Sequence, residues 1–279
     1  MLIYRSRFLT RGEVWFDDDP DGAPVDWIHY RQRSSPLAKG RWKHFYTLLI
    51  DLTKSPDELL SEMDPRTVRK IQDAQERDKT RWQRCDPKDS RVMDQVEEMW
   101  NRNAAAPNGT RLDRDWLNQI IAANALDLCV AMDSGGNVLA YHLAYVAARR
   151  VQQLIIVSTY SSSPNAAKRN RINRANCLGH WNNFLAFKER GVRYFDFGGW
   201  YPGTTDIRSL GMNAFKKGFG GQVVREYECE QILTVKGWVV LTVAQTLNKV
   251  GRSRSLNPLD SEGKANARSA IENNISPAF

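Results

Sequence analysis

The chain has 279 residues, of which 42% are hydrophobic and 26% charged, proportions typical of a soluble globular protein that can bury one large core or two small ones. Its formal charge of +8 favours a polyanionic partner such as RNA, a nucleotide or an anionic lipid. The four cysteines contain no CxxC pair, which argues against a zinc site and a disulfide framework and favours a reducing compartment. Neither a signal-peptide core nor an apolar run of the ~18 residues that cross a bilayer is present, so we expect a cytoplasmic protein.

Residues 11–32 are predicted to form a β-hairpin. Its strands would be residues 13–16 and 25–30, and the stretch 17–22 between them is rich in turn-forming residues. The carboxylates of this turn lack the ligand spacing of a calcium loop, so we interpret the stretch as a turn and predict no metal site.

A basic stretch follows, in which residues 31–43 contain five Lys or Arg residues and no acidic residue. The aromatic residues Trp42, Phe45 and Tyr46 lie at its end. We predict a solvated loop that leads into a strand over residues 45–52. The alternative is a surface that stacks on and neutralises a nucleotide or an RNA end.

From residue 51 onward, helical and extended patterns alternate, which predicts a mixed α/β sheet flanked by helices. The predicted helices cover residues 55–63, 65–78, 92–102, 114–124, 176–190 and 212–217, and the predicted strands cover residues 81–84, 126–132, 138–148, 153–160, 192–197 and 223–233. An apolar run over 238–250 is interpreted as a helix docked on the sheet, in preference to an interfacial membrane helix, and a polar tail follows. The predicted domains are residues 1–50, 51–235 and 236–279.

The most informative stretch is residues 194–221, YFDFGGWYPGTTDIRSLGMNAFKKGFGG. It begins as a strand with Asp196 near its end and breaks at Gly198 and Gly199, where backbone angles closed to other residues become available. A short helical run then carries Lys216 beside its apolar face and ends at a second glycine cluster. A carboxylate at a strand end and a lysine on a glycine-flanked turn are an unusual pair to find so close together.

This stretch resembles the signature of the FemABX peptidyltransferase family, in which a strand ending in Y-x-D-F-G-G precedes G-x-x-x-F-K-x-G-F-G-G. The resemblance continues through residues 173–181 and, more approximately, through residues 69–74. It implies the fold of the GCN5-related N-acetyltransferases (GNAT), with one complete GNAT unit preceded by a reduced one. It also implies acyl transfer to an amine, with the lysine of the F-K pair, here Lys216, implicated in the transfer.

The chemistry that fits these residues is direct acyl transfer. No Ser or Cys lies in a G-x-S-x-G nucleophile elbow, and the four histidines are not at metal-ligand spacing. Lys216 is the candidate for stabilising the oxyanion or a phosphate. Asp196 could orient the substrate amine, accept its proton, or cap a loop amide. The candidate substrate-binding residues are Tyr194, Gly198, Gly199, Trp200, Tyr201, Phe215, His180 and Trp181.

The donor is predicted to bind where basic residues precede the long helix, at Lys168, Arg169, Arg171 and Arg174. In GNAT enzymes that use acetyl-CoA this place carries a Q/R-x-x-G-x-G/A loop, and residues 171–176 contain no glycine. This difference favours aminoacyl-tRNA, the donor that the resemblance implies, over acetyl-CoA as an alternative co-substrate. We expect no tightly bound cofactor.

The leading hypothesis is therefore an aminoacyltransferase that forms a peptide bond, with tRNA as a partner. Its acceptor would be a peptide, a cell-wall precursor or a polysaccharide amine, reached in the cytoplasm with peripheral contact at the inner face of the membrane. The alternatives are an acyl-CoA-dependent N-acyltransferase and a non-catalytic module that binds RNA or the cell envelope.

Overall fold

The computed structural model describes residues 1–6, 8–20, 22, 24–104, 111–160, 163 and 165–243. These residues form two units. The first unit contains residues 1–47, 199–211 and those from 223 onward, and the second contains residues 48–198 and 212–222. Among the helices described, none is long and apolar enough to cross a membrane.

The described strands and helices alternate along the chain as a mixed α/β fold. The strands are β1 (Leu2–Ser6), β2 (Leu9–Trp15), β3 (Trp27–Arg33), β4 (Arg41–Asp51), β5 (Arg81–Cys85), β6 (Leu126–Met132), β7 (Val138–Val146), β8 (Arg150–Ser158), β9 (Tyr194–Gly199) and β10 (Gln222–Ile232). The helices are α1 (Pro56–Glu62), α2 (Pro65–Gln72), which continues into a π-helical turn (Asp73–Arg77), α3 (Ser90–Ala104), α4 (Arg114–Ala122), α5 (Ala166–Glu189) and α6 (Ile207–Lys217). The predicted mixed α/β class is therefore confirmed.

In the first unit the strands follow the order β1, β2, β3, β10 and the first part of β4. The predicted hairpin is wrong, because β2 and β3 pair in parallel, with Arg11 opposite Trp27 and Trp15 opposite Arg31. Directly before β3, the Asp26 amide donates to the carbonyl of Thr10 at the start of β2, so the two strands begin side by side. The sequence shows two strands and a turn, but not the direction in which the second strand is laid down.

The Asp26 side chain helps to hold β2 and β3 in this parallel arrangement. Its carboxylate accepts hydrogen bonds from the Thr10 amide at 2.9 Å, the Thr234 hydroxyl at 2.7 Å and the Lys236 ammonium at 3.1 Å. The bond from the Thr10 amide is the largest of the causes that lower the pKa of Asp26 to about 2. The carboxylate therefore stabilises the fold at neutral pH through charge-assisted hydrogen bonds.

In the second unit the strand order is β4, β9, β8, β7, β6, β5. The β5–β6, β6–β7 and β7–β8 pairs are antiparallel, and the β8–β9 pair is parallel. The strand predicted at 126–132 is β6 without a shift. Ser55 caps α1 with a capping box. The apolar run predicted as a helix over 238–250 is helical over 235–243, and the rest of that run lies outside the described residues, as does the predicted tail.

The long helix α5 begins ten residues earlier than the sequence predicts, because Asn165 caps it by accepting from the Lys168 amide at 2.7 Å. It ends in a Schellman arrangement, in which the Gly191 amide donates to Lys188 and the Val192 amide to Phe187. Of the apolar residues Leu178, Trp181 and Leu185, which lie three and four positions apart on α5, Leu178 is buried and the other two are partly buried. The residues that α5 buries are Ile172, Ala175, Cys177, Leu178, Gly179, His180, Asn183, Phe184 and Phe187.

Replacing Asp26 by Asn should destabilise the first unit by roughly 1–3 kcal/mol, because hydrogen bonds to a charged group lose that much. The pKa of Asp26 is lowered on folding, so its contribution is present above pH ~4 and is lost as the pH falls through ~2. Urea unfolding at pH 7 and at pH 2 measures both effects. The exposed Asp18→Asn variant is the control, and an equal loss in both variants would contradict the assignment.

Candidate active site

The candidate site lies where the parallel strands β8 and β9 meet. Their pairing runs from Arg150 opposite Tyr194 to Gln152 opposite Asp196. Directly beyond it, β8 carries a bulge, because Leu143 lies opposite Ile155 whereas Ala144 lies opposite Gln153. A bulge redirects a strand and is common beside functional sites.

The side chain of Gln153 stabilises this bulge. Its amide nitrogen donates to the Leu143 carbonyl and to the Ile155 carbonyl, each at 2.8 Å. Gln153 is buried, so these bonds satisfy backbone oxygens that the disrupted ladder would otherwise leave without donors.

Asp196 is fully buried in β9 and forms an ion pair with Arg150, whose Nε lies 3.0 Å from Asp196 Oδ2. Its other oxygen accepts from the Gly198 amide at 2.7 Å. Of the roles predicted for Asp196, the structure therefore displays the capping of a loop amide. With both oxygens engaged, the carboxylate is suited to positioning the strand end and supplying a fixed negative charge.

Gly198 adopts a left-handed backbone angle, φ +69°, in which a side chain is strained. A Cβ at this position would also lie 3.2 Å from the Gln153 carbonyl oxygen. The carbonyl of Gly198 accepts a hydrogen bond from Lys216 Nζ at 3.2 Å. The turn at Gly198 thus brings the end of β9 to the lysine at the end of α6.

Lys216 is partly buried, and burial lowers the pKa of its ammonium to about 8, while the Asp196 carboxylate opposes this shift. The position of α6 depends on the glycines after it, since a Cβ at Gly221 would lie 2.4 Å from the Leu49 carbonyl oxygen. The adjacent Lys217 is exposed and donates to the Gly221 carbonyl at 2.7 Å. The two neighbouring lysines therefore differ in environment: Lys216 is partly buried, whereas Lys217 is exposed.

His180 lies in the core of this unit. Its ring packs within 4.8–6.4 Å of five phenylalanine rings and 4.8 Å from the His142 ring, and neither of its nitrogens has a hydrogen-bond partner among the residues described. Burial lowers its pKa far below the usual value, and the charges of His142 and Lys216 add to the effect. The sequence predicts that His180 contacts the substrate, whereas the structure buries its side chain in the core of this unit.

The other predicted substrate-binding residues are distributed between the two units. Tyr194, at the start of β9, and Trp181 and Phe215 are partly buried in the second unit. The remaining three, Gly199, Trp200 and Tyr201, belong to the first unit, where the Trp200 amide donates to the Tyr46 carbonyl. Their roles in binding stay predictions.

A basic pocket of about 620 Å³ opens at the start of α5 in the second unit. Its lining residues are Arg77, Asp78, Asp133, Leu139, Asn165, Ala167, Lys168, Arg171 and Arg174. Three of the four predicted phosphate-binding residues are among them. The fourth, Arg169, is not in the lining and donates to the Ser163 carbonyl at 3.0 Å.

Asp78 organises the cations of this pocket. Its carboxylate accepts from Arg174 at 2.6 and 3.0 Å, and its carbonyl accepts from Arg171 at 3.1 Å. Burial alone would raise the pKa of Asp78, but the bonds and charge of Arg174 lower it overall. Lys168 is exposed, and no partner for its ammonium is found in the described part of the chain, so it is available to an anionic ligand.

Sequence reasoning missed three residues that shape these sites, namely Arg150, Gln153 and Asp78. Each acts through a contact with a residue distant in sequence, or through a bulge that only strand pairing reveals. The described residues contain no group of three or more His, Cys, Asp or Glu side chains arranged to hold a metal ion.

Comparison with known proteins shows the fold. No protein-family model matches the sequence, and no curated protein does. Among solved structures, FemX matches over 77% of this chain and 74% of its own, with 16% identity and a TM-score of 0.57. A lysylphosphatidylglycerol synthetase C-terminal domain, so described, from Agrobacterium fabrum matches over 79% and 72%, with 15% identity and a TM-score of 0.50. L-PGS from Bacillus licheniformis matches over 84% of both chains, with 14% identity and the same TM-score. The chain therefore has a FemX-like fold, as its sequence predicts.

Replacing Lys216 by Met should raise the stability at pH 7 by about 1–2 kcal/mol, because it removes a charge whose burial is unfavourable. The folded pKa of about 8 lies below the unfolded value of 10.5, so the wild type gains stability as the pH rises between them. The difference between the two proteins should therefore shrink by pH 10. Thermal unfolding at both pH values measures it, and Lys217→Met should leave stability nearly unchanged. Destabilisation by Lys216→Met at both pH values would contradict the burial argument.

Proposed function

We propose that this protein is an acyltransferase that forms an amide bond on an amine-bearing acceptor by direct transfer, with aminoacyl-tRNA as the donor. The observation that carries the proposal is the ammonium of Lys216, which has a pKa of about 8 and is held at the Gly198 carbonyl. The FemX-like fold and the resemblance of the motif around Lys216 to FemABX peptidyltransferases support the reaction class.

The surroundings of Lys216 suit the stabilisation of an oxyanion. A charge in a poorly hydrated site interacts more strongly than one in water, and its position is fixed before the reaction begins. Asp196 contributes by holding the Gly198 turn and by favouring the protonated form of Lys216, which predominates at neutral pH. Arg150 in turn compensates the buried charge of Asp196.

In the proposed reaction the acceptor nitrogen attacks the ester carbonyl carbon of the donor. The amide C–N bond forms and the ester C–O bond breaks. Lys216 stabilises the negative charge on the carbonyl oxygen and gives a proton to the leaving ribose oxygen. It recovers a proton from the nitrogen that has entered the amide, so the lysine ends in the state in which it began. A pKa near the working pH makes both proton transfers accessible.

The basic pocket is the proposed site for a donor phosphate. Lys168 and Arg174 precede His180 on α5 by twelve and six residues, which correspond to ~18 and ~9 Å along the helix axis. The positive charge of Lys216 lowers the pKa of His180. The helix α5 therefore carries both the cations of the pocket and a residue that interacts with Lys216. Cations and the helix N-terminus favour a phosphate there.

The same pocket supports the second candidate, an acyl-CoA-dependent N-acyltransferase, because its cations suit a pyrophosphate equally well. The absence of the glycines of the acetyl-CoA loop favours the tRNA donor. The acceptor is proposed to be a peptide, a cell-wall precursor or a polysaccharide amine, encountered in the cytoplasm or at the inner face of the membrane.

Lys216→Met should lower the rate of amide formation by roughly two to three powers of ten, as when one oxyanion donor is lost. Because the ammonium form is the active one, the wild-type rate should fall as the pH rises past about 8. Lys216→Arg should lack this alkaline decline, since a guanidinium keeps its charge, while its rate stays below wild type. Rate profiles from pH 6 to 10 measure these effects. Lys217→Met is the control, and an equal loss in both Met variants would remove Lys216 from the mechanism.

The donor is tested by comparing charged tRNA with acetyl-CoA, both as acyl donors and as ligands that raise the unfolding temperature. We expect charged tRNA to act in both assays. Lys168→Ala should weaken its binding and lower the salt slope by about one, the effect of losing one phosphate contact. Arg169→Ala, a cation outside the pocket lining, is the matched control. Salt-insensitive acetyl-CoA binding without tRNA binding would establish the second candidate instead.

A further inference from the structure

The basic stretch forms the predicted loop only over residues 34–40, and β4 begins at Arg41 instead of at the predicted residue 45. Alternation along β4 places Trp42, His44 and Tyr46 on one face and Arg41 and Lys43 on the other. Lys43 lies 3.1 Å from Glu228, which also alternates away from Tyr227 on the neighbouring β10. The aromatic face is therefore separate from these paired charges.

Four rings are grouped on this face within the first unit. The Tyr227 ring lies 5.4 Å from the ring of Trp42 and 5.3 Å from that of His44. Trp42 and His44 are 5.4 Å apart, and His44 and Tyr46 are 6.3 Å apart. The Trp42 side chain is 49% exposed and His44 is also exposed, whereas Tyr46 and Tyr227 are partly buried. This group, which we call the aromatic platform, is therefore open to solvent at Trp42 and His44 and half-open at the two tyrosines.

Two arginines accompany the platform. Arg33 on β3 lies opposite Tyr227 in the strand register, and Arg225 is two residues from Tyr227 on the same face of β10. Neither guanidinium has an ion-pair partner among the described residues. The Arg33 guanidinium lies over the Tyr30 ring, 5.4 Å from its centroid, and its Nε is buried without a hydrogen bond. In contrast, Arg31 on the opposite face is paired with the buried Glu13. The open face thus carries unneutralised positive charge beside exposed rings.

We propose that the aromatic platform binds single-stranded RNA, with bases stacked on Trp42 and Tyr227 and phosphates neutralised by Arg33 and Arg225. Exposed rings on a sheet face with adjacent cations are suited to unpaired bases and their backbone. The alternative occupant of an aromatic surface, a neutral polysaccharide, would make no use of the two arginines. The chain's formal charge of +8 also favours an anionic ligand. The inference stands apart from the catalytic proposal, because it concerns binding of RNA that carries no acyl group.

The test is fluorescence anisotropy of the full chain with a labelled 12-nucleotide single-stranded RNA ending in CCA. Trp42→Ala and Tyr227→Ala should each weaken binding about tenfold, the effect of losing one stacked base. Tyr227→Phe should keep wild-type affinity, since the ring remains. Arg33→Ala and Arg225→Ala should each lower the salt slope by about one. The matched controls are Tyr160→Ala, another exposed ring, and Arg91→Ala, another exposed cation.

Three results would overturn the inference. These are equal affinity in the wild type and both ring variants, displacement of the RNA by heparin with no effect of Trp42→Ala, and binding of a neutral oligosaccharide in place of RNA. Lys216→Met separates this proposal from the catalytic one, because it should lose acyl transfer and keep RNA affinity. Acyl transfer from acetyl-CoA together with ring-dependent RNA binding would support the platform and reject the proposed donor.

Discussion

The partial burial of one ammonium group is the constraint on which the second unit depends. Lys216 loses hydration on folding, and Asp196 is the carboxylate that opposes the resulting fall in its pKa. Asp196 is itself fully buried and requires Arg150, because an unpaired buried carboxylate would be strongly destabilising. These three charges form a chain in which each compensates the next. The turn at Gly198, bonded to both Asp196 and Lys216, fixes their geometry.

The motif from Tyr194 to Gly221 could be predicted from sequence because its constraints are local. Gly198 and Gly221 adopt positive φ angles, a property of their own backbone, and the lysine follows a short apolar face on a helix. A pattern confined to 28 residues needs no knowledge of strand order. The same is true of the capping box at Ser55, which is set by residues within one turn of helix.

What could not be predicted depends on contacts between distant residues. The parallel pairing of β2 and β3 rests on Asp26 bonding to Thr10, a contact that hydrophobic alternation does not encode. The early start of α5 is an exception, because the Asn165 cap that sets it is a local contact; the first turn of the helix simply adds no apolar pattern that would extend the predicted helix. The partner of Asp196 lies 46 residues away, and nothing in the alternation of β8 distinguishes Arg150 from any other strand-end arginine.

The buried His180 indicates that the core of the second unit is not optimised for stability alone. An apolar residue could pack among the phenylalanines around His180 without leaving polar atoms unpaired. Both ring nitrogens of His180, in contrast, lack a hydrogen-bond partner among the described residues. Its pKa, far below the usual value, keeps the imidazole neutral at pH 7, so it adds no positive charge beside Lys216. The neutral, buried ring of His180 keeps the surroundings of Lys216 poorly hydrated, and this lowers the pKa of the lysine. Residues that shape a functional charge commonly cost stability in this way.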